Sequence, residues 1–194
     1  MKKKTISLRI ISALLALSMM FVLSACGKKE VNEETSQNEE SASTYTENTN
    51  GVLSPEEAAK EYMQAEKDGD VDKIYSLVPN EVAEYLINNV YDGDKESLIY
   101  EINEQCLASY LKNSEIPAEE CGFEFISADD IDEEMFEETQ RVFTENEIAE
   151  ITDTKDATFK FWIRDEVQEG FIVQLVKIGD KWGVLPYYLI DRLA

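Results

Sequence analysis

Ser109-Tyr110-Leu111-Lys112 has the Ser-x-x-Lys spacing in which a lysine amine stands near a serine nucleophile for acyl transfer. The companion Ser-Asp-Asn and Lys-Thr-Gly motifs are missing, and Tyr110 and Leu111 suit a helix end, so a chance match explains the pattern. The chain contains no histidine, which removes Ser-His and Cys-His nucleophiles and imidazole metal ligands together. Carboxylates are plentiful, 41 in 194 residues, so their mere adjacency carries no weight. A general acid needs a buried carboxyl with a raised pKa, and spacing does not reveal burial.

Metal chemistry fares no better. Asp68-Gly69-Asp70-Val71-Asp72 opens like a calcium loop, but Lys73 stands where the sharp-turn glycine belongs and Pro79 where the bidentate glutamate belongs. Asp68 and Asp70 read instead as turn and N-cap residues. Asp129, Asp130, Asp132, Glu133 and Glu134 form a denser cluster, which carboxylates at a helix N-terminus explain. Cys106 and Cys121 lack the further soft ligands of a zinc site. In an oxidising compartment they would close a 16-residue loop worth about 3 kcal/mol; otherwise they are two reduced, partly buried thiols. Spacing alone does not choose. No metal and no cofactor is expected.

The N-terminus is more specific. Met1-Lys2-Lys3-Lys4 and Arg9 are basic, and Ile10 to Leu23 is an uncharged, mostly apolar run of 14 residues. That length suits a signal peptide and falls short of the ~20 residues of a spanning helix. Leu23-Ser24-Ala25-Cys26 followed by Gly27 resembles the lipobox of bacterial lipoproteins. The resemblance implies cleavage before Cys26 and a diacylglycerol on its sulfur, hence a protein held to the cell membrane from the extracytoplasmic side. Two acyl chains hold stably where one does not.

Removing residues 1–25 would leave 14 basic against 41 acidic groups, a net charge of −27. Such a surface repels nucleic acid, and nucleic-acid binding is not expected. Residues 115–156 hold 16 acidic and two basic groups, while 157–194 balance at five and five. Residues 26–53 are nearly all Glu, Ser, Thr and Asn, a composition with too little to bury, and read as a disordered spacer after the lipidated cysteine. Residues 54–194 are one domain's worth of chain.

That domain opens with Ser54-Pro55-Glu56-Glu57, a capping box with Pro at the first helical position. Helices are predicted from there to Gly69, from Asp70 to Pro79, from Asn80 to Asp92, and from Lys95 to Lys112. Beyond Pro117 a strand is predicted over 121–127 and an acidic helix over 129–146. Strands follow near 148–153, 157–164, 170–178 and 181–187, with Gly179-Asp180 as a two-residue hairpin turn. Helices first and antiparallel strands last mean α+β, with the helices on one face of a sheet of about five strands. The capped first helix and the closing hairpin over 171–184 resemble the nuclear transport factor 2-like superfamily, and within it bacterial lipoproteins of unknown function. The resemblance implies a bent sheet around a long helix, a cone whose mouth holds a small molecule; that fold hosts enzymes and binding modules alike.

On such a cone Tyr62, Tyr75, Tyr100, Phe161, Trp182 and Tyr187 either line the mouth or fill the core. Trp162, between Lys160 and Arg164 on the opposite strand face from Phe161, reads as a contact surface for a dimer or as a site covered by Tyr187–Ile190. The expected function is a membrane-anchored binding module for a small ligand or an envelope protein, without catalysis. The alternatives are a small carboxylate- and tyrosine-dependent hydrolase or isomerase, and an assembly subunit of an envelope complex. A solvent-reached pocket holding a carboxyl of raised pKa would favour the enzyme.

Overall fold

The computed structural model describes residues 53–193, the Glu169 side chain excepted. The leader, Cys26 and the spacer read from the sequence lie outside the described residues. Among the described residues no helix is long and apolar enough to cross a membrane.

Helix α1 (Pro55–Asp68) begins where the capping box places it. The Glu57 amide donates to Ser54 Oγ at 3.3 Å, and the Ser54 amide donates to the Glu57 carboxylate at 2.8 Å. Gly69 ends the helix in the left-handed region at φ 69, where a side chain would be strained. Asp70 then caps α2 (Val71–Leu77) by accepting the Lys73 amide at 3.0 Å. Turn and cap are therefore the roles of the would-be calcium loop. Helix α3 (Asn80–Asn89) starts after Pro79 with no side-chain cap, so Asn80 is its first residue rather than its cap.

The single helix expected over 95–112 is two helices, α4 (Lys95–Gln105) and α5 (Leu107–Asn113), with Cys106 extended at ψ 153 between them. In a continuous helix the Leu107 amide would donate to the Asn103 carbonyl. It donates instead to Glu66 Oε2 of α1 at 2.7 Å. The Asn103 carbonyl receives the Ser109 hydroxyl at 2.5 Å and the Cys106 thiol at 3.1 Å. Side chains have displaced the helical bond.

Strand β1 (Cys121–Asp130), helix α6 (Glu133–Glu145), strands β2 (Ile151–Ile163), β3 (Glu166–Ile178) and β4 (Lys181–Leu185), and helix α7 (Tyr187–Ile190) complete the order. The strands form one antiparallel sheet, β1-β2-β3-β4. The α+β class is as expected; the strand count is four, because the stretches near 148–153 and 157–164 are one strand, carried through a register shift between Ile151 and Asp153. Likewise β3 starts at Glu166 and not near 170. Arg164 adopts the left-handed conformation (φ 56) that the tight turn needs, and Gly170 (φ 82) sits inside the strand at a register shift. Helix α6 starts later than expected because Asp129 and Asp130 pair with Asp156 and Lys155 in the sheet. Asp132 caps it by accepting the Met135 amide at 2.8 Å.

Helix α1 packs against all four strands. Its buried Ala58, Ala59, Tyr62 and Met63 join Phe159, Leu175 and Val184 in one core, each large side chain contributing about 1.5–3 kcal/mol of burial. Gly183 of β4 lies under the α2–α3 corner, where an added Cβ would stand 2.5 Å from Pro79 Cγ. Both pleat faces of β2 and β3 are buried near their middle: Ala157, Phe159 and Leu175 on one, Thr154 and Val176 on the other. The expectation of helices on one sheet face only is thus corrected.

Candidate functional site

Strand β4 stops early, and that stop makes a cleft. Its last residue, Leu185, pairs with Gln174 of β3. Pro186 has no amide to donate and turns the chain into α7. Strand β3 continues to Glu166 on its β2 side, so Phe171, Ile172 and Val173 have no β4 neighbour. A cleft of about 260 Å³ opens there. Buried Tyr62 of α1, Val173 and Leu185 form its floor, with half-buried Phe171 beside them; Met135 of α6, Ile172 and Tyr187 of α7 form its exposed rim.

Two polar side chains enter this apolar lining, the cross-strand partners Asp156 and Gln174. Asp156 is half-buried, and burial together with the neighbouring Asp132 charge pushes its carboxyl above the usual aspartate range. Among the described residues no cation and no side-chain hydrogen-bond donor meets that carboxyl. Lys155, next in the chain, is bound to Asp130 on β1.

Behind the cleft floor sits a satisfied buried cluster. Glu66 accepts the Leu107 amide at 2.7 Å and the Tyr188 hydroxyl at 3.3 Å, and the Tyr62 phenol interacts with the same carboxyl. Burial raises the Glu66 pKa against the lowering effect of these donors. Desolvation and the carboxyl hold both phenols well above the usual tyrosine range, so they remain neutral donors. Glu66 is invisible to periodicity, which marks it only as a polar residue on an apolar helix stripe. That mismatch was the one signal of its role.

The aromatics expected at a mouth divide. Tyr62 and Tyr187 line the cleft, and Phe161 stacks on Phe171 at 5.4 Å. Tyr75 lies under Lys95, Trp182 lies under Lys177, and Tyr100 is 65% exposed; none of the three lines the cleft. Trp162 lies on its cross-strand partner Gly122, where an added Cβ would stand 2.3 Å from the ring. The ring is half-buried by β1 itself, with Lys160 half-buried beside it and Arg164 exposed but bound to Glu120 at 2.9 Å. Cys106 and Cys121 are buried free thiols, so no disulfide joins them.

Ser109 gives its hydroxyl to a backbone carbonyl and has no contact with Lys112 as an activating base. Among the described residues no three Cys, Asp or Glu side chains converge as a metal site. No family model, no curated protein and no solved structure matches the chain.

Proposed function

We propose that the protein is an extracytoplasmic lipoprotein, anchored through lipid on Cys26, whose domain is a non-catalytic binding module of the nuclear transport factor 2-like cone type. The lipobox resemblance of residues 23–26 supports the anchor, and helix α1 lying across all four strands supports the cone. One observation carries the binding role: an open cleft with an apolar floor, bordered by exposed Met135, Ile172 and Tyr187. Concave apolar sites with a few placed polar groups are where small ligands bind. Native mass spectrometry of protein taken from its own membranes tests both parts. The expected spectrum has a diacylated Cys26 N-terminus and a bound molecule lost on Tyr187→Ala substitution; a bare Cys26 or a retained leader refutes the anchor.

A second reading is favoured by Asp156, a solvent-reached carboxyl with a raised pKa. It fits a proton-transfer step in a small hydrolase or isomerase. Tyr62, the cleft's buried phenol, is committed to Glu66 and Tyr188, and among the described residues no side chain donates to Asp156, which ranks this reading second.

A further inference from the structure

Resting on the cleft as the binding site, we infer that its occupant is a small organic ammonium cation, with nitrogen at the Asp156 carboxyl and a short apolar body along Met135, Ile172 and Tyr187. Three properties of the site select this chemistry over others. The first is an unanswered carboxyl. Asp156 lines the cleft with neither ion pair nor side-chain hydrogen bond among the described residues, and the nearby cation Lys155 belongs to Asp130. On α6, Arg141 is held by Glu138 and Glu145, and the Asp132 cap adds another negative charge close to Asp156. A neutral apolar ligand would deepen the desolvation of that carboxyl without pairing it, and an anion would be repelled.

The second property is the ring set. Tyr187 borders the space at its rim, while Tyr62 and Phe171, with Phe171 on the sheet face opposite Asp156, close its far end; aromatic faces attract cations most where water is excluded. Among the described residues no three acidic side chains converge there, so the site offers too few oxygens for a divalent metal, which needs about six or more in the calcium case. The third property is the rim. Of the seven large apolar side chains exposed among the described residues, Met135, Ile172 and Tyr187 border this one cleft, so the ligand brings apolar surface as well as charge. A space of about 260 Å³ lies at the small end of ligand sites and limits that body to roughly one ring and a short chain. The backbone of residues 171–173, unpaired by β4, adds acceptors for the remaining N–H groups.

The test uses the full-length chain, observed by NMR while it is titrated at about pH 7 with 2-phenylethylammonium and separately with 2-phenylethanol. The two probes share a body and differ in charge. The ammonium is expected to bind at least about tenfold more tightly, with shifts centred on Tyr187 and Ile172. Asp156→Asn is expected to abolish that preference, and Tyr187→Ala to weaken both probes. Equal binding of the two probes to the wild type overturns the ammonium assignment and leaves the cleft as a binding site. Absence of binding by either probe overturns the cleft reading as well.

Discussion

Glu66 of α1 accepts the backbone amide of Leu107 at 2.7 Å, across 41 residues of sequence. This contact divides α4 from α5, because it takes the amide that would have closed the helical turn at Cys106. The same carboxyl receives Tyr188 from α7, so one side chain ties the first helix to the middle and the end of the domain. Glu66→Ala leaves the Leu107 amide and two buried phenols short of an acceptor. The expected cost is about 1–3 kcal/mol, read as a lower urea midpoint. An unchanged midpoint would mean that α5 needs no such cap.

The pH dependence of this contact has a definite sign. Burial holds the folded-state pKa of Glu66 above its ordinary 4.5. The stability that protonation of Glu66 contributes is fully present below pH 4.5 and is lost as pH rises through the raised folded value. Glu66→Gln does not titrate. Relative to wild type, the Gln variant is therefore expected to gain stability as pH rises from 4.5 toward neutral, measured as the difference in urea midpoints. A flat difference would show an unshifted carboxyl.

Much of α1 was readable from local chemistry. Ser54, Glu57, Gly69 and Asp70 act through neighbours within a few residues, and each performs the role its type and spacing announce. The break at Cys106 was not readable, since its cause stands on another helix. The apolar spacing Leu98, Ile102, Cys106 and Tyr110 runs across the break without a gap, yet the structure buries Leu111 and exposes Tyr110, because hydrogen bonds from elsewhere decide the backbone there. Gly170 misled for a related reason: a glycine that marks a strand start in sequence serves as a kink within β3. Asp156 was one acid among many, and only the sheet pairing and the end of β4 set it in an apolar cleft.

Gly122 and Trp162 offer a sharper mutational test. They face each other across β1 and β2, and a Cβ on Gly122 would stand 2.3 Å from ring carbon Cζ2 and 2.5 Å from Cε2. Gly122→Ala is expected to cost about 1–3 kcal/mol by forcing the ring off the strand. In a Trp162→Ala background the same substitution should cost far less, since nothing remains to clash. A double-mutant cycle by chemical denaturation reads the coupling; additivity would place the ring elsewhere.

Cys106 and Cys121 are both buried, and desolvation raises the Cys121 thiol above its ordinary pKa. A raised pKa means little thiolate at neutral pH, and thiolate is the reacting form. The folded chain is expected to resist iodoacetamide at these two residues and to react at both once unfolded in guanidinium. Peptide mapping by mass spectrometry checks this, and a Cys106–Cys121 crosslinked peptide would contradict the structure.

Asp156→Asn carries the last prediction, because function and stability should move in opposite directions there. Burial and the Asp132 charge hold the folded-state pKa above the ordinary 3.8. Stability contributed by the protonated form is present below pH 3.8 and lost as pH rises through the raised folded value. At neutral pH the wild type therefore keeps a partly desolvated, unpaired charge that the amide variant lacks. The variant is expected to melt at a higher temperature at neutral pH, with the gain disappearing below pH 3.8. A binding group retained at a cost to the empty protein behaves this way. A lower melting temperature for the variant at neutral pH would mean that the carboxyl is already paired within the protein, and the case for a ligand cation would fall with it.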